Sequence, residues 1–155
     1  MPSTYTPIAT QTVSAVSSIT FSSIPSTYTD LILVGAGSSS ASGTLYMQFN
    51  SITSSQYSYT NIYGTGSAAG SGRTVASAFG YFAFYTTNQN NFICNIQNYS
   101  NTTTNKTTVS RTNSTDYAAA TVMLWANTAA INSVLIAPNS GTFTGTLTLY
   151  GIKAA

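Results

Sequence analysis

The chain has 155 residues, of which 43% are hydrophobic and only 4% are charged, with a formal net charge of +2. That length suits one domain, residues 1–155, able to bury a core without disulfides, and no apolar run is long enough to span a membrane. The lack of any histidine removes the Ser-His-Asp triad, the Cys-His pair and His-based metal ligation together.

Tyr5 to Val13 reads as a first strand, with Pro7 confining it to an edge or to the strand's start. The stretch Ile19 to Val34, ITFSSIPSTYTDLILV, organises the rest. Ile19 and Phe21 alternate with Thr20 and Ser22, and Leu31-Ile32-Leu33-Val34 is short and wholly apolar, as in a strand covered on both sides. The two strands are expected at the heart of a β-sandwich. Gly35 to Gly43 reads as a Gly/Ser loop. Thr44 to Asn50 alternates cleanly, with Leu45, Met47 and Phe49 directed inward. Ser51 to Gly72 reads as a long excursion with a short strand at Tyr57 to Tyr63, the kind of segment in which partner contacts concentrate.

Val75 to Tyr85 is the next expected strand, with Gly80 as its bulge, and Phe92 to Tyr99 is expected to pair with it across a turn at residues 86–91. Thr107 to Thr112 is more polar and reads as an edge strand. In Ala118 to Ala126, Val122 and Leu124 alternate with Met123 and Trp125. Ile131 to Ala137 and Thr144 to Ile152 are joined by the turn Pro138-Asn139-Ser140-Gly141. Eight to ten strands without a competing helical period predict an all-β fold, an antiparallel, jelly-roll-like β-sandwich.

Sparse charge leaves a surface of Ser, Thr, Asn, Gln, Gly and Tyr. A chain rich in Tyr, Phe, Ile, Leu and Val is not disordered, but it gains little protection from charge repulsion. Much of its surface is therefore expected to meet other subunits. Asp30 and Asp116 are the only carboxylates that could form a glycosidase pair, and capping of backbone amides is their simpler role. The four cations, Arg73, Arg111, Lys106 and Lys153, form no run, so nucleic-acid binding is not expected. The lone Cys94 reads as a buried small hydrophobe. Four Asn-X-Ser/Thr sites, at Asn98, Asn101, Asn105 and Asn113, fall in an Asn/Thr-rich stretch without an N-terminal signal peptide and read as accidental. Tyr57, Tyr59, Tyr63 and Tyr99, with Arg73 and Arg111, are the expected partner contacts. Tyrosine gives a large contact area at low entropy cost, and arginine a rigid hydrogen-bonding fork.

The segments YTPIAT (5–10), ITFSSIPSTYTDLIL (19–33), YSYTNIYGTGS (57–67), NIQNYSNTTTNKT (95–107) and INSVLIAPNSGTFTGTLTLYGIK (131–153) together resemble a small β-sandwich module of tailed bacteriophages, including phages of cyanobacteria. The resemblance implies a homotrimeric virion protein without catalytic motif or cofactor. One role is head decoration, or cement, bound to the major capsid protein on the capsid surface of a virion assembled in the host cytoplasm. The other is a tail-fibre tip that recognises host glycans. A sandwich starting within a few residues of Met1, with no stalk before it, favours cement over the fibre.

Overall fold

The computed structural model describes residues 4–153; residues 1–3 and 154–155 of the expected domain lie outside the described residues. Twelve strands occur among them: β1 (Tyr5–Val16), β2 (Ile19–Phe21), β3 (Asp30–Ser39), β4 (Gly43–Phe49), β5 (Tyr57–Thr65), β6 (Ala69–Ser77), β7 (Gly80–Tyr85), β8 (Asn90–Gln97), β9 (Lys106–Asn113), β10 (Tyr117–Trp125), β11 (Val134–Pro138) and β12 (Phe143–Ile152). They form an eight-stranded sheet, β1-β12-β3-β8-β9-β10-β5-β6, and a four-stranded sheet, β2-β11-β4-β7. Every pairing is antiparallel. The fold is thus a β-sandwich. Three nested strand pairs give it its jelly-roll character: β3 with β12 in the large sheet, β4 with β11 in the small one, and β5 with β10 back in the large one.

Alternation places one side of each strand between the sheets. Leu31, Leu33, Cys94, Ile96, Met123, Trp125, Leu147 and Leu149 come from the large sheet, and Ile19, Phe21, Leu45, Met47, Phe49, Phe82, Val134 and Ile136 from the small one; all are buried. Trp125 stacks on Tyr57, with ring centroids 6.2 Å apart at 16°, and meets Phe49 at 5.4 Å.

Several sequence expectations are corrected. The Gly35–Gly43 segment is not a loop as far as Ser39: β3 continues there, paired with β12 on one side and with β8 as far as Gly37. Glycine in this strand makes room for aromatic rings, since a Cβ on Gly35 would lie 2.1 Å from Cζ of Phe92 and one on Gly37 2.5 Å from Cζ of Phe143. The Ser51–Gly72 excursion contains the β5 strand and most of the β5–β6 hairpin. Val75–Tyr85 is two strands that part at Ala78 and Phe79 and enter different sheets, and the bulge opposite β4 falls at Phe82 rather than Gly80. Consequently β8 pairs with β3 and β9, not with β7. The expected edge strand β9 lies inside the large sheet, and its Thr108, Ser110 and Thr112 are buried. Conversely β2 is an edge of the small sheet, while β3 is interior to the large one.

Candidate docking face

The two carboxylates and the lone cysteine each have a local structural setting. Asp30 accepts the Asn98 backbone amide at 2.7 Å, and Asp116 accepts the side chains of Asn88 and Thr115 at 3.0 and 3.2 Å. Both carboxylates thus hold loops in place. Burial pushes the Cys94 thiol up to about 12, opposed only by the nearby Thr108 hydroxyl, so it stays protonated and inert. No group of three or more potential metal ligands occurs among the described residues.

What the molecule does present is a sheet face. Residues of the large sheet that point away from the core fall into continuous cross-strand rows. One runs Thr148, Val34, Ile93, Arg111, Ala120, Ile62; the next runs Thr146, Ala36, Asn91, Asn113, Ala118, Gly64. On the other flank lie Val109 and Val122, which are cross-strand partners. Sheet twist and the small side chains of Ala36, Ala118 and Ala120 hollow this face into a groove of about 1070 Å³. The aliphatic groups of this face are open to solvent: in the groove Ile62 is 61% exposed and Val34 39%, and beside it Val122 is 54% exposed and Val109 44%. A contiguous apolar patch of this kind on a folded domain marks an interaction surface.

Arg111 stands in the middle of the first row, with Ile93 and Ala120 as its cross-strand neighbours. It makes no hydrogen bond or ion pair with another described residue, and the side chains of Asn91 and Asn113 are equally free. Arg73 lies at the rim of the same face, opposite Thr60, to which its Nη1 donates at 3.0 Å.

The tyrosines expected as contacts are distributed differently. Tyr57 and Tyr99 are fully buried, which corrects their assignment to a partner surface. The Tyr57 hydroxyl accepts the Phe49 amide at 2.8 Å, while that of Tyr99 donates to the Pro25 carbonyl and accepts the Tyr28 amide at 3.3 Å. With their polar tips satisfied by backbone, both rings pack inside. Tyr59 is half-buried edge-on to Tyr81. Tyr63 is 37% exposed, with its ring edge-on to Phe84, and Tyr117 packs on Phe84 from another side. Of the six expected residues, Arg111 lies in the groove, Tyr63 borders it and Arg73 lies at the rim of the same face. Sequence reasoning missed Val34, Ile62, Ile93, Val109 and Val122. Their signal was apolar character at both parities of a strand, as in Val122 and Leu124 against Met123 and Trp125.

No family model and no curated protein matches the chain. Among solved structures it is similar to exo-inulinase from Aspergillus awamori, with a TM-score of 0.51 and 14% identity over 96% of this chain and 29% of that one. The chain thus spans under a third of the enzyme's length, and at this identity the likeness speaks for the fold alone.

Proposed function

We propose that this chain is a virion structural protein of a tailed bacteriophage, a decoration or cement protein that stabilises the head by bridging capsomers of the major capsid protein. The observation carrying the proposal is the broad, hollow, apolar face of the large sheet, open to solvent in a protein with almost no charge. Burial of apolar surface contributes about 25 cal/mol per Å², so a module with such a face adds cohesion wherever it covers a neighbour. Many copies over a shell multiply a modest gain per contact. Sparse charge supports the same reading, because a dense array of like-charged subunits would repel. In this proposal the chain acts as a homotrimer on the capsid surface and needs neither cofactor nor turnover.

The alternative role, a tail tip reading host glycans through tyrosine rings, has less to work with, since the rings of Tyr57 and Tyr99 are inside the core. The test is location and copy number. A virion density map should place the protein over capsomer junctions in many copies, and particles lacking it should release DNA at lower temperature while adsorbing normally. A handful of copies at the tail, with adsorption lost in their absence, would overturn the proposal.

A further inference from the structure

We propose that the hollow outer face of the large sheet is a docking groove for an aliphatic polypeptide segment of another protein, anchored by one carboxylate on Arg111. This rests on the reading that the chain works by covering a protein surface, and it holds whether that surface belongs to a head or a tail.

Charge complementarity identifies the occupant. Arg111 has no hydrogen-bond or ion-pair partner among the described residues, and aliphatic side chains surround it: Ile93 and Ala120 beside it, then Val34 and Ile62. A partner that covers this face strips water from the guanidinium. An unpaired charge removed from water is strongly unfavourable, so the partner must supply an anion there. A carboxylate fits the guanidinium fork in two parallel hydrogen bonds. A second copy of this chain is poorly suited to provide it. Its side-chain carboxylates, Asp30 and Asp116, are both engaged with loop donors, and two-fold pairing of this face would bring one Arg111 towards the other.

The lining also selects the class of molecule. Sugars are held by open ring faces and dense polar contacts, whereas Val, Ile, Ala and Gly make up most of this groove, Thr146 and Thr148 lie at one end, and the Tyr63 ring that borders it is turned edge-on to Phe84. The free amides of Asn91 and Asn113, paired across β8 and β9 in the row next to Arg111, supply donors and acceptors for the backbone of an extended segment. Aliphatic walls, one central cation and two adjacent amides describe a site for a peptide with a single Asp or Glu among aliphatic residues.

The test is selection from a random peptide library on the immobilised full chain, with counter-selection on a folded Arg111→Ala variant. Enriched peptides should share one acidic residue flanked by aliphatic ones. In synthetic peptides, changing that residue to Asn or Gln should weaken binding about tenfold to a hundredfold, as expected for a charged hydrogen bond. Arg111→Ala should cost the same factor, and the two changes together little more. Ile62→Asp, on the same exposed face, should also abolish binding, and methyl resonances of Val34 and Ile93 should shift on titration. Enriched peptides without an acid, peptides that bind Arg111→Ala equally well, or no enrichment over that variant would each overturn the proposal. Such a failure with the protein located on the head would sink the groove alone. A selected acidic motif with the protein found at the tail would sink the cement assignment and leave the groove standing.

Discussion

Thr112 on β9 donates its hydroxyl to the main-chain carbonyl of Phe84 on β7, 3.2 Å away and in the opposite sheet. Two residues earlier Ser110 does the same to the carbonyl of Phe82. β7 is an edge of the small sheet, bonded to β4 alone, so its other side would leave buried carbonyls without partners. Hydroxyls reaching across from the large sheet satisfy them. Lacing of this kind closes an edge that could otherwise recruit another strand.

Ser110→Ala or Thr112→Val should therefore each lower unfolding free energy by about 1–3 kcal/mol, the cost of leaving a buried carbonyl unsatisfied. Thr112→Val conserves shape, so its loss isolates the hydrogen bond. Denaturant unfolding measures the change, and amide exchange should show β7 opening more readily than β3. Unchanged stability in both variants would mean that water satisfies the Phe82 and Phe84 carbonyls.

Gly35 and Phe92 face one another across β3 and β8, with the ring lying over the glycine. Phe92 is nearly buried and edge-on to Phe82 at 5.4 Å, so it has little room to retreat. Gly35→Ala should destabilise by about 1–3 kcal/mol through overpacking. Phe92→Ala should lose about 3–5 kcal/mol. Because both act on one space, adding Gly35→Ala to Phe92→Ala should cost far less than its effect alone. Additive losses in unfolding experiments would refute this coupling.

These relationships also mark how far the sequence was legible. Alternation in Leu45, Met47 and Phe49 gave the inward face of β4 directly, and the turn at Pro138–Gly141 separated β11 from β12. The polar parity of β9 misled because hydroxyls belong inside when a carbonyl across the sandwich accepts them. Gly35 and Gly37 suggested a loop because the rings that cover them come from Phe92 and Phe143, far along the chain. In β10 both parities are apolar, so the chain alone does not reveal that Val122 faces solvent while Met123 faces the core. The docking face was illegible for that reason. Only sheet order assembles Val34, Ile93 and Ile62 around Arg111.

Alkaline pH should unfold the protein well before acid does. Burial pushes the Tyr57 phenol up to about 12 and the Cys94 thiol to about 12, and it raises the phenols of Tyr81, Tyr99 and Tyr117 as well. Unfolded, these groups ionise near about 8.5 for the thiol and about 10 for the phenols. Between those values and the raised ones the unfolded chain binds fewer protons, so stability falls as pH rises. Their contribution is complete below about 8.5, and that of Tyr57 and Cys94 is lost on passing about 12. Lys106, buried with its ammonium donating to the carbonyls of Thr104 and Thr128, works in the opposite sense. Desolvation lowers its pKa, so its contribution improves with rising pH up to about 10.4, where the unfolded lysine loses its proton. Four raised phenols and a thiol outweigh one lysine. Urea midpoints should be flat from about pH 5 to 8, where ordinary side chains other than histidine do not titrate, and should drop steeply above about pH 10. Ultraviolet titration should show some of the 11 tyrosines ionising only as the fold is lost. Uniform ionisation without unfolding would contradict this.

Asn50 ends β4 in the left-handed region, at φ 53°, and its side chain clamps the approach to β11. Nδ2 donates to the Ala130 carbonyl at 2.8 Å, while Oδ1 accepts the amides of Asn132 and Ser133 at 2.8 and 3.2 Å. Asparagine suits both demands, since it tolerates this backbone and offers donor and acceptor together. Asn50→Gly keeps the backbone but loses the clamp, and should cost about 2–3 kcal/mol at roughly 0.5–1.5 per hydrogen bond. Asn50→Ala adds the strain of a Cβ at positive φ, about 1–2 kcal/mol more. The order glycine above alanine therefore separates strain from hydrogen bonding. Thermal unfolding of the two variants measures it, and faster exchange of the Asn132 and Ser133 amides should report the freed loop. If alanine proved as stable as glycine, the left-handed turn would be relaxing, and the clamp alone would account for the loss.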